Sequence, residues 1–303
     1  MTNPRDPAPS VAMTLRERLL AARARLTAAG VDANEAVLDT NLLGRHVLGW
    51  TRAEMLLRQD EPPPAGFEDP FAALIERRAR REPAAYIRGR QEFWSRDFEV
   101  TTDVLIPRPE SELIVEELFA LLPVDAPALP RRVADIGTGS GCLAVTAAAE
   151  RPSLHVVATD ISRAALDVAR RNAERIGVAP KIEFHECAYL SGTSGPFDFI
   201  IANPPYVTEA EYEQLPPEVR EYEPAGALKA GEDGLRDIRQ IVHLSTERLK
   251  PGGTLFMEIG HQQAADLEAL VTTFPSLTLT RISNDLQRIP RVAIIERKIT
   301  NDE

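Results

Sequence analysis

The sequence predicts an α/β protein whose main domain is a doubly wound sheet with one reversed edge strand, preceded by a small helical domain. From residue 132 onwards, apolar runs of strand length alternate with helical patterns, which is typical of a mostly parallel sheet. A glycine-rich turn follows the first of these runs, as in sheets that bind nucleoside ligands. The final two strands, predicted near residues 277–283 and 291–297, are joined too closely for a crossover helix and should be antiparallel.

Composition limits the classes of function. The chain has 303 residues, 44% of them hydrophobic, which is enough for the core of one large or two ordinary domains. Its 35 basic and 46 acidic residues give a net charge of -11, which argues against broad binding to phosphate backbones. Two cysteines, Cys142 and Cys187, are too few for a disulfide framework or a CxxC zinc site. With no apolar run of membrane-spanning length and no signal-peptide pattern, we expect a cytoplasmic protein without a membrane partner or a metal.

Three segments differ in pattern and predict the domain organisation. Residues 1–84 predict a helical domain, in which capping-box patterns open two of the four helices. Its arginines between positions 77 and 81 predict a solvated helix face or, alternatively, a contact surface for an acidic partner. Residues 85–106 include the strand-like run EFWSRDFEVTTDVLI and predict a hairpin that links the domains. Residues 107–303 hold the predicted sheet.

The run FDFIIANPPYV, residues 197–207, is the stretch around which the predicted site is organised. Its first five residues predict a buried strand, which two prolines end because neither can donate a ladder hydrogen bond. Pro204 keeps Asn203 out of the helical region, at the carboxyl end of a strand where open α/β sheets bind ligands. The Asn203 amide and the Pro204 carbonyl suit a planar NH2 group, on which Tyr206 is expected to stack. A simple Asn-Pro turn is the alternative, but Pro205 and Tyr206 after a hydrophobic strand favour a site.

The segment RVADIGTGSGCLAVT, residues 132–146, predicts a strand, a glycine-rich turn and a helix. The turn lacks the last glycine of the dinucleotide-binding pattern, because position 142 is Cys. Asp135 places a carboxylate before the turn, which disfavours a pyrophosphate and suits a ligand with an ammonium and a sulfonium group. This chemistry indicates S-adenosylmethionine as the cofactor. We expect it to contact Asp135 and the turn residues Gly137, Thr138, Gly139, Ser140 and Gly141.

Further cofactor contacts are predicted at the ends of the next two strands. The strand HVVATD ends at Asp160, 19 residues after the last glycine of the turn, where an acidic group is placed to accept both ribose hydroxyls. A helix N-cap is the alternative role for Asp160. Tyr189 follows the third strand and is expected either to cover an adenine ring or to pack in the core. The long segment at residues 208–233 is acidic, carries three prolines and predicts a binding loop or lid.

These segments together resemble the protein-(glutamine-N5) methyltransferase family, known as PrmC or HemK, which modifies peptide chain release factors. The resemblance rests on GTGSG, the Asp160 strand end, NPPY, FEVTTDVLIPRPESELIVEE and MEIGHQQ, and spans roughly residues 85–297. Methyltransferases of adenine amino groups carry motifs related to NPPY, whereas the LIPRPESE segment narrows the choice to this family. The resemblance implies the Rossmann-like, seven-stranded sheet of class I S-adenosylmethionine-dependent methyltransferases, with a helical domain that recognises the substrate.

Roles for the site residues are implied by the resemblance wherever the motifs match. The glycine turn would line the methionine part of the cofactor, and Asp160 would bind the ribose. The target glutamine amide would be held by Asn203 and the Pro204 carbonyl, with Asn203 also close to the cofactor. The remaining substrate contacts would come from Pro205 and Tyr206.

Three features stay open at the level of sequence. The segment Cys187, Ala188, Tyr189 departs from the Ser-Asp and bulky residue that family members commonly have, so an acidic contact to adenine is not expected from it. Glu258 is equally compatible with a structural role and with contact to the site. His261, like the other histidines, has no convincing catalytic neighbour in the sequence.

Three functions are compatible with these patterns. The resemblance implies methyl transfer to the glutamine in a Gly-Gly-Gln loop of release factors. We also expect a monomer and, from the net charge, no stable complex with nucleic acid. An amino methyltransferase of adenine would fit the same NH2 site, although the net charge of -11 counts against it, and a glutamine methyltransferase of a ribosomal protein is a related alternative. An inactive cofactor-binding module is least favoured, because NPPY and the glycine turn are intact.

Overall fold

The computed structural model describes residues 13–122 and 130–299. The chain divides into two compact units, Met1–Arg88 and Gly89–Glu303, and their described residues form separate hydrophobic cores. The first ten residues, which the sequence predicts to be a frayed tail, and most of residues 123–132, whose three prolines predict a loop, lie outside the described residues.

The first unit is helical, as predicted. Both predicted capping boxes form: the Thr14 and Thr51 hydroxyls accept from the backbone N–H of Glu17 and Glu54, whose carboxylates accept in return from the threonine N–H groups. Each box satisfies backbone donors that the first helical turn leaves unpaired. The described helices are α1 (Leu15–Ala28), α2 (Ala33–Leu48), α3 (Arg52–Arg58), α4 (Glu68–Ala79) and α5 (Ala84–Arg88).

One arginine of this unit departs from the solvated face expected at positions 77–81. Arg78 is 3% exposed, and its Nε donates to Asp39 Oδ2 at 2.6 Å. A buried charge is tolerated only when it is paired, so this guanidinium joins α4 to α2 inside the unit instead of facing solvent.

A short antiparallel hairpin opens the second unit, with β1 (Arg90–Phe93) paired to β2 (Arg96–Glu99). Phe93 and Phe98 are fully buried in the core of this unit, so the hairpin belongs to the same compact body as the sheet. The two strands of the predicted hairpin form, but the strand-like run extends beyond them, because strand pairing ends at Glu99 and the chain turns within residues 101–104.

A seven-stranded mixed sheet forms the centre of the second unit. The strands are β3 (Arg131–Ile136), β4 (Leu154–Asp160), β5 (Ile182–Glu186), β6 (Phe197–Ala202), β7 (Leu249–Glu258), β8 (Leu277–Asn284) and β9 (Pro290–Arg297). Their order in the sheet is β5-β4-β3-β6-β7-β9-β8, so the chain builds the sheet outwards from β3 to one edge and then outwards from β6 to the other.

The predicted antiparallel edge is confirmed. Strand pairs among β3 to β7 are parallel, whereas β9 is antiparallel to β7 on one side and to the edge strand β8 on the other. The strand that runs against the other six is therefore β9, one place in from the edge. The short β8–β9 connection allows this because antiparallel neighbours need no crossover.

Helices cover both faces of the sheet. Successive residues of β6 alternate between two cores: Phe199 and Ile201 enter one, and Ile200 and Ala202 enter the other. All six residues of β6 are buried, as expected for a strand enclosed on both sides. The helices of this unit are α6 (Glu112–Ala120), α7 (Cys142–Glu150), α8 (Arg163–Ile176), α9 (Glu209–Tyr212), α10 (Pro217–Tyr222), α11 (Arg236–Arg248) and α12 (Ala264–Thr272).

Over residues 13–122 and 130–299, none of the helices combines the length and the apolar character needed to cross a membrane.

Candidate active site

The site lies where the order of the sheet changes direction, between β3 and β6. These two strands are parallel neighbours, and their last residues, Ile136 and Ala202, are paired in register. The glycine turn and Asn203 therefore leave the sheet side by side at its carboxyl edge. Such a switch point is where open α/β sheets bind their ligands.

A cavity of about 430 Å³ opens at this edge, within the roughly 300–1,000 Å³ usual for small-molecule sites. Most of the predicted site residues line it. They are Gly137, Thr138, Gly139 and Ser140 from the turn, Asp160 and Tyr189 from the next two strand ends, and Asn203, Pro204 and Pro205 from the NPPY motif. Three of the predicted residues do not line the cavity and lie behind its wall: Asp135, Gly141 and Tyr206.

The three glycines of the turn serve two different purposes. All have positive φ angles, which side chains disfavour. A Cβ on Gly137 would meet no atom within 4 Å, and one on Gly139 would only just reach a backbone oxygen at 4.0 Å, so both leave open space on the cavity side. A Cβ on Gly141 would lie 3.0 Å from the Ala169 Cβ. Gly141 therefore has a packing role, the close approach of α7 to α8, and its cofactor contact stays a prediction.

Asp135 lies beneath the turn and is fully buried. Its Oδ2 accepts from the Thr138 hydroxyl at 2.6 Å and from the Ala144 N–H at 3.2 Å, while Oδ1 has no hydrogen-bond partner among the described residues. Burial raises the pKa of Asp135 to about 7, against the opposing effect of these hydrogen bonds. The direct contact expected between Asp135 and the cofactor is not seen in the lining, and its carboxylate shapes the turn instead.

Asp160 lies at the end of β4 and faces the cavity. Its Oδ2 accepts from the Gly139 N–H at 2.9 Å and its Oδ1 from the Ser162 N–H at 2.9 Å. The alternative N-cap role is wrong, because α8 is capped by Ser162, whose hydroxyl accepts from Ala165 N–H. A carboxylate can accept about four hydrogen bonds, so capacity remains for two ribose hydroxyls.

Tyr189 lines the cavity and is fixed by an acidic residue that the sequence did not point to. Its hydroxyl donates to Asp237 Oδ1 at 2.8 Å, from the first turn of α11. Burial and this carboxylate raise the pKa of Tyr189 to about 12, so the phenol stays protonated at neutral pH. Asp237 also lines the cavity and brings to it the acidic group that the Cys187 segment lacks.

The Asn203 side chain is held by a chain of hydrogen bonds that ends on a buried carboxylate. Asn203 Nδ2 donates to Ser111 Oγ at 2.9 Å, and Ser111 Oγ donates to Glu258 Oε2 at 2.5 Å. The Tyr206 hydroxyl donates to the other carboxylate oxygen, Glu258 Oε1, at 3.1 Å. Tyr206 is therefore turned into the protein, and the expected stacking of its ring on a substrate amide has no support in this geometry.

Glu258, left open by the sequence, is 1% exposed and does not line the cavity. Burial raises its pKa, while the hydrogen bonds from Ser111 and Tyr206 act in the opposite direction. Burial likewise raises the pKa of Tyr206, with Glu258 adding to the effect. His261, the other residue left open, is exposed.

The LIPRPESE segment forms one wall of the cavity and is anchored by the loop after NPPY. Glu223 in that loop is 5% exposed, accepts from the Ile106 N–H at 3.1 Å and pairs with Arg108 at 2.5 Å. The predicted binding loop at residues 208–233 thus borders the cavity, to which it contributes Pro224, Gly226 and Ala227. Its return to the motif is secured by paired backbone bonds between Val207 and residues 228–230.

Ser111 and Arg108 are site residues that sequence reasoning used only as part of a motif. Both line the cavity, and both lie within the LIPRPESE segment. Asp237 and Cys142 also line it, the latter at the position where the dinucleotide pattern has its last glycine. The motif was sufficient to identify the segment as part of the site. Nothing in the local sequence showed which of its side chains face the cavity.

The geometry fits S-adenosylmethionine. Space at Gly137 and Gly139 lets a ligand approach the backbone, and the Asp160 carboxylate lies at the end of the adjacent strand. Two acidic side chains lie at the turn, Asp160 facing the cavity and Asp135 buried beneath it, and as carboxylates they would stabilise positive charge on a ligand. An ammonium and a sulfonium group supply such charge. The fold and the site together define a class I S-adenosylmethionine-dependent methyltransferase.

Comparison with known proteins gives the family. The PrmC N-terminal domain model matches residues 17–89 and the methyltransferase small domain model matches residues 111–215. A release factor glutamine methyltransferase of Nitratidesulfovibrio vulgaris is 39% identical over 97% of this chain and 99% of the relative, and one of Cereibacter sphaeroides is 41% identical over 86% and 90%. The chain belongs to the release factor glutamine methyltransferase family.

A solved structure shows the same fold at lower similarity. The hMettl16 catalytic domain in complex with MAT2A 3'UTR hairpin 1 is 17% identical, with a TM-score of 0.54 over 82% of this chain and 85% of that chain. At this identity the likeness concerns the fold alone.

Proposed function

We propose that this enzyme transfers a methyl group from S-adenosylmethionine to the side-chain amide nitrogen of the glutamine in the Gly-Gly-Gln loop of peptide chain release factors. One observation carries the site assignment. Among the described residues, no hydrogen bond ends at the Oδ1 of Asn203 or at the carbonyl oxygen of Pro204, although both residues line the cavity. Two acceptors are thus available side by side for the two N–H donors of one amide NH2 group.

The reaction mainly requires that the glutamine amide be oriented towards the methyl carbon. An amide nitrogen is a poor nucleophile because its lone pair is delocalised into the carbonyl. S-adenosylmethionine would supply a methyl carbon activated by a sulfonium leaving group: as the bond from the amide nitrogen to this carbon forms, the carbon–sulfur bond breaks, the thioether S-adenosylhomocysteine leaves, and the nitrogen loses one proton to water. Asn203 and the Pro204 carbonyl would hold the NH2 group in line with that carbon and stabilise positive charge that develops on the nitrogen. Pro205, the next residue of the stiff turn, lines the substrate side.

Cofactor residues are proposed from the lining. Gly137 and Gly139, with Thr138 and Ser140 between and after them, would accommodate the methionine part of the cofactor. Asp160 would accept the ribose hydroxyls. Tyr189, held by Asp237, would cover one side of the adenine ring. Asn203 would contact both the cofactor and the acceptor.

Further properties of the protein are proposed on composition. A net charge of -11 disfavours a stable complex with nucleic acid, and two free cysteines fit a reducing compartment. We therefore expect the enzyme to act in the cytoplasm on a protein substrate, and its monomeric state stays a separate prediction.

The test is methyl transfer from labelled S-adenosylmethionine to a purified release factor, with a matched release factor in which the loop glutamine is replaced by alanine. We expect label only in the first protein, and peptide mass analysis should place one methyl group on the glutamine side chain. If the cofactor binds while neither protein is labelled, the substrate assignment is wrong. An adenine-containing oligonucleotide is then the next acceptor to test.

A further inference from the structure

Three chain segments converge behind Asn203. Ser111 lies just before α6, Glu258 ends β7, and Tyr206 follows the NPP turn. Ser111 and Glu258 are 2% and 1% exposed, so the hydrogen bonds that join them are screened from water. The path from the cavity inwards is Asn203 Nδ2 to Ser111 Oγ at 2.9 Å, then Ser111 Oγ to Glu258 Oε2 at 2.5 Å.

With Glu258 as an ionised carboxylate, which can only accept, the direction of each hydrogen bond in this path is determined by the number of protons available. The Glu258 carboxylate receives two hydroxyl donors, Ser111 on one oxygen and Tyr206 on the other. A serine hydroxyl has a single proton, so once Ser111 donates to Glu258 its oxygen can only accept. The group of Asn203 that faces Ser111 must therefore be the NH2, and the carbonyl oxygen is left for the cavity.

We propose that Ser111 and Glu258 are positioning residues that fix which face of the Asn203 amide meets the acceptor. With the NH2 of Asn203 held by Ser111, Oδ1 is presented to the NH2 of the incoming glutamine. The opposite orientation would place one NH2 group against another and lose the hydrogen bond that aims the nitrogen. This inference rests on the proposed glutamine acceptor, and it explains why a buried carboxylate lies so close to a reaction that needs no strong base.

Tyr206 has a related role in the same network. Its hydroxyl occupies the second oxygen of Glu258, and its backbone carbonyl accepts from Gln263 Nε2 at 3.1 Å. Both contacts hold the NPPY turn from its inner side. With Tyr206 on Oε1 and Ser111 on Oε2, the orientation of the Glu258 carboxylate is fixed by a donor on each oxygen.

The decisive experiment is a double-mutant cycle between Ser111 and Asn203. Ser111→Ala should lower kcat for release-factor methylation by about 10- to 100-fold, the usual effect of losing a partner that orients a functional group, with cofactor affinity unchanged. In an Asn203→Ala background the same change should alter kcat by less than about 2-fold, because no amide remains to be oriented. An equal loss in both backgrounds would show that Ser111 acts independently and would overturn the proposal.

Conservative variants and a matched control separate positioning from folding. Ser111→Thr keeps the hydroxyl and should retain kcat within a few-fold. Glu258→Gln keeps the volume but turns one acceptor into a donor, so its effect on kcat should also vanish in the Asn203→Ala background. Ser245→Ala removes another fully buried hydroxyl, which donates to Ile241 O outside the network, and should leave kcat unchanged.

An observation that needs no substrate tests the same network. With 15N-labelled asparagine, the side-chain NH2 signal of Asn203, assigned by its loss in Asn203→Ala, should exchange its protons with water more slowly in the wild type than in Ser111→Ala. Equal exchange in the two proteins would contradict the inference whatever the acceptor proves to be. Transfer of label by the wild type to a release factor separately tests the proposed function.

Discussion

The carboxylate of Asp160 accepts a hydrogen bond at 2.9 Å from the backbone N–H of Gly139, which ties the end of β4 to the turn that follows β3. A second backbone donor, Ser162 N–H, holds the other oxygen at 2.9 Å. The carboxylate is thus fixed in place before any ligand arrives. A preorganised acceptor of this kind binds hydroxyl donors without a further ordering cost.

Replacing this carboxylate should weaken cofactor binding. We expect Asp160→Asn to raise the Kd for S-adenosylmethionine roughly 10- to 100-fold, since hydrogen bonds to charged groups contribute about 1.5–3 kcal/mol each. Calorimetric titration measures the change. Asp167→Asn on the exposed side of α8 is the matched control, because it removes the same charge away from the cavity. Equal affinities for Asp160→Asn and the wild type would show that Asp160 does not bind the ribose hydroxyls.

Two glycines offer a matched comparison of backbone strain and cavity space. Gly137 and Gly177 have φ angles of 71° and 84°, and a Cβ on either would meet no atom within 4 Å, but only Gly137 lines the cavity. Alanine at either position should cost about 1–2 kcal/mol of stability through the left-handed backbone. Only Gly137→Ala should also lower cofactor affinity, because its methyl group enters the ligand space. Similar affinity losses in both variants would point to a general effect of strain.

The third glycine of the turn should behave differently. Gly141→Ala would place a Cβ 3.0 Å from the Ala169 Cβ and 3.2 Å from the Ala169 Cα, which forces α7 and α8 apart. Overpacking of about 1–3 kcal/mol should add to the backbone strain. Trp94 fluorescence in a Trp50→Phe background follows unfolding of the sheet unit, since these are the only two tryptophans of the chain. A stability no lower than that of Gly177→Ala would contradict the packing role.

Features encoded in neighbouring residues were predictable from the sequence. β6 followed from an aromatic and β-branched run that two prolines end, and the glycine turn from its spacing between a strand and a helix. The antiparallel β8 and β9 followed from a connection too short for a crossover. In each case the physical constraint acts within a few residues, so a local pattern is sufficient to reveal it.

Side-chain direction and long-range pairing were not predictable. Ser111 and Glu258 are 147 positions apart, and only the finished sheet brings them within hydrogen-bond distance. Tyr206 was expected to stack on a substrate, but a buried carboxylate attracts its hydroxyl into the protein. A cluster of this kind depends on which groups need partners after burial, and that is a property of the whole fold.

Removing the amide of Asn203 should affect the rate far more than binding. We expect Asn203→Ala to lower kcat by about 10² to 10³, the usual effect of deleting one hydrogen-bonding group that acts on the transition state. The Kd for S-adenosylmethionine should change little, since the turn and Asp160 remain intact. Single-turnover methylation and calorimetry measure the two quantities, with Asn284→Ala at the exposed end of β8 as the control. A matching loss of cofactor affinity would assign Asn203 mainly to cofactor binding.

The buried carboxyl of Asp135 should make stability depend on pH. Its pKa is raised from 3.8 to about 7 by burial, so in the folded protein it keeps a proton that the unfolded chain releases near pH 4. The stabilising contribution is therefore complete below pH 4 and is lost as pH rises through about 7. Asp135→Asn removes this titration while an amide oxygen still accepts from the Thr138 hydroxyl and Ala144 N–H. Between roughly pH 5 and 8, urea unfolding followed by Trp94 should show wild-type stability falling by about 2–3 kcal/mol relative to the variant. A constant difference across that range would mean that Asp135 is ionised in the folded protein throughout.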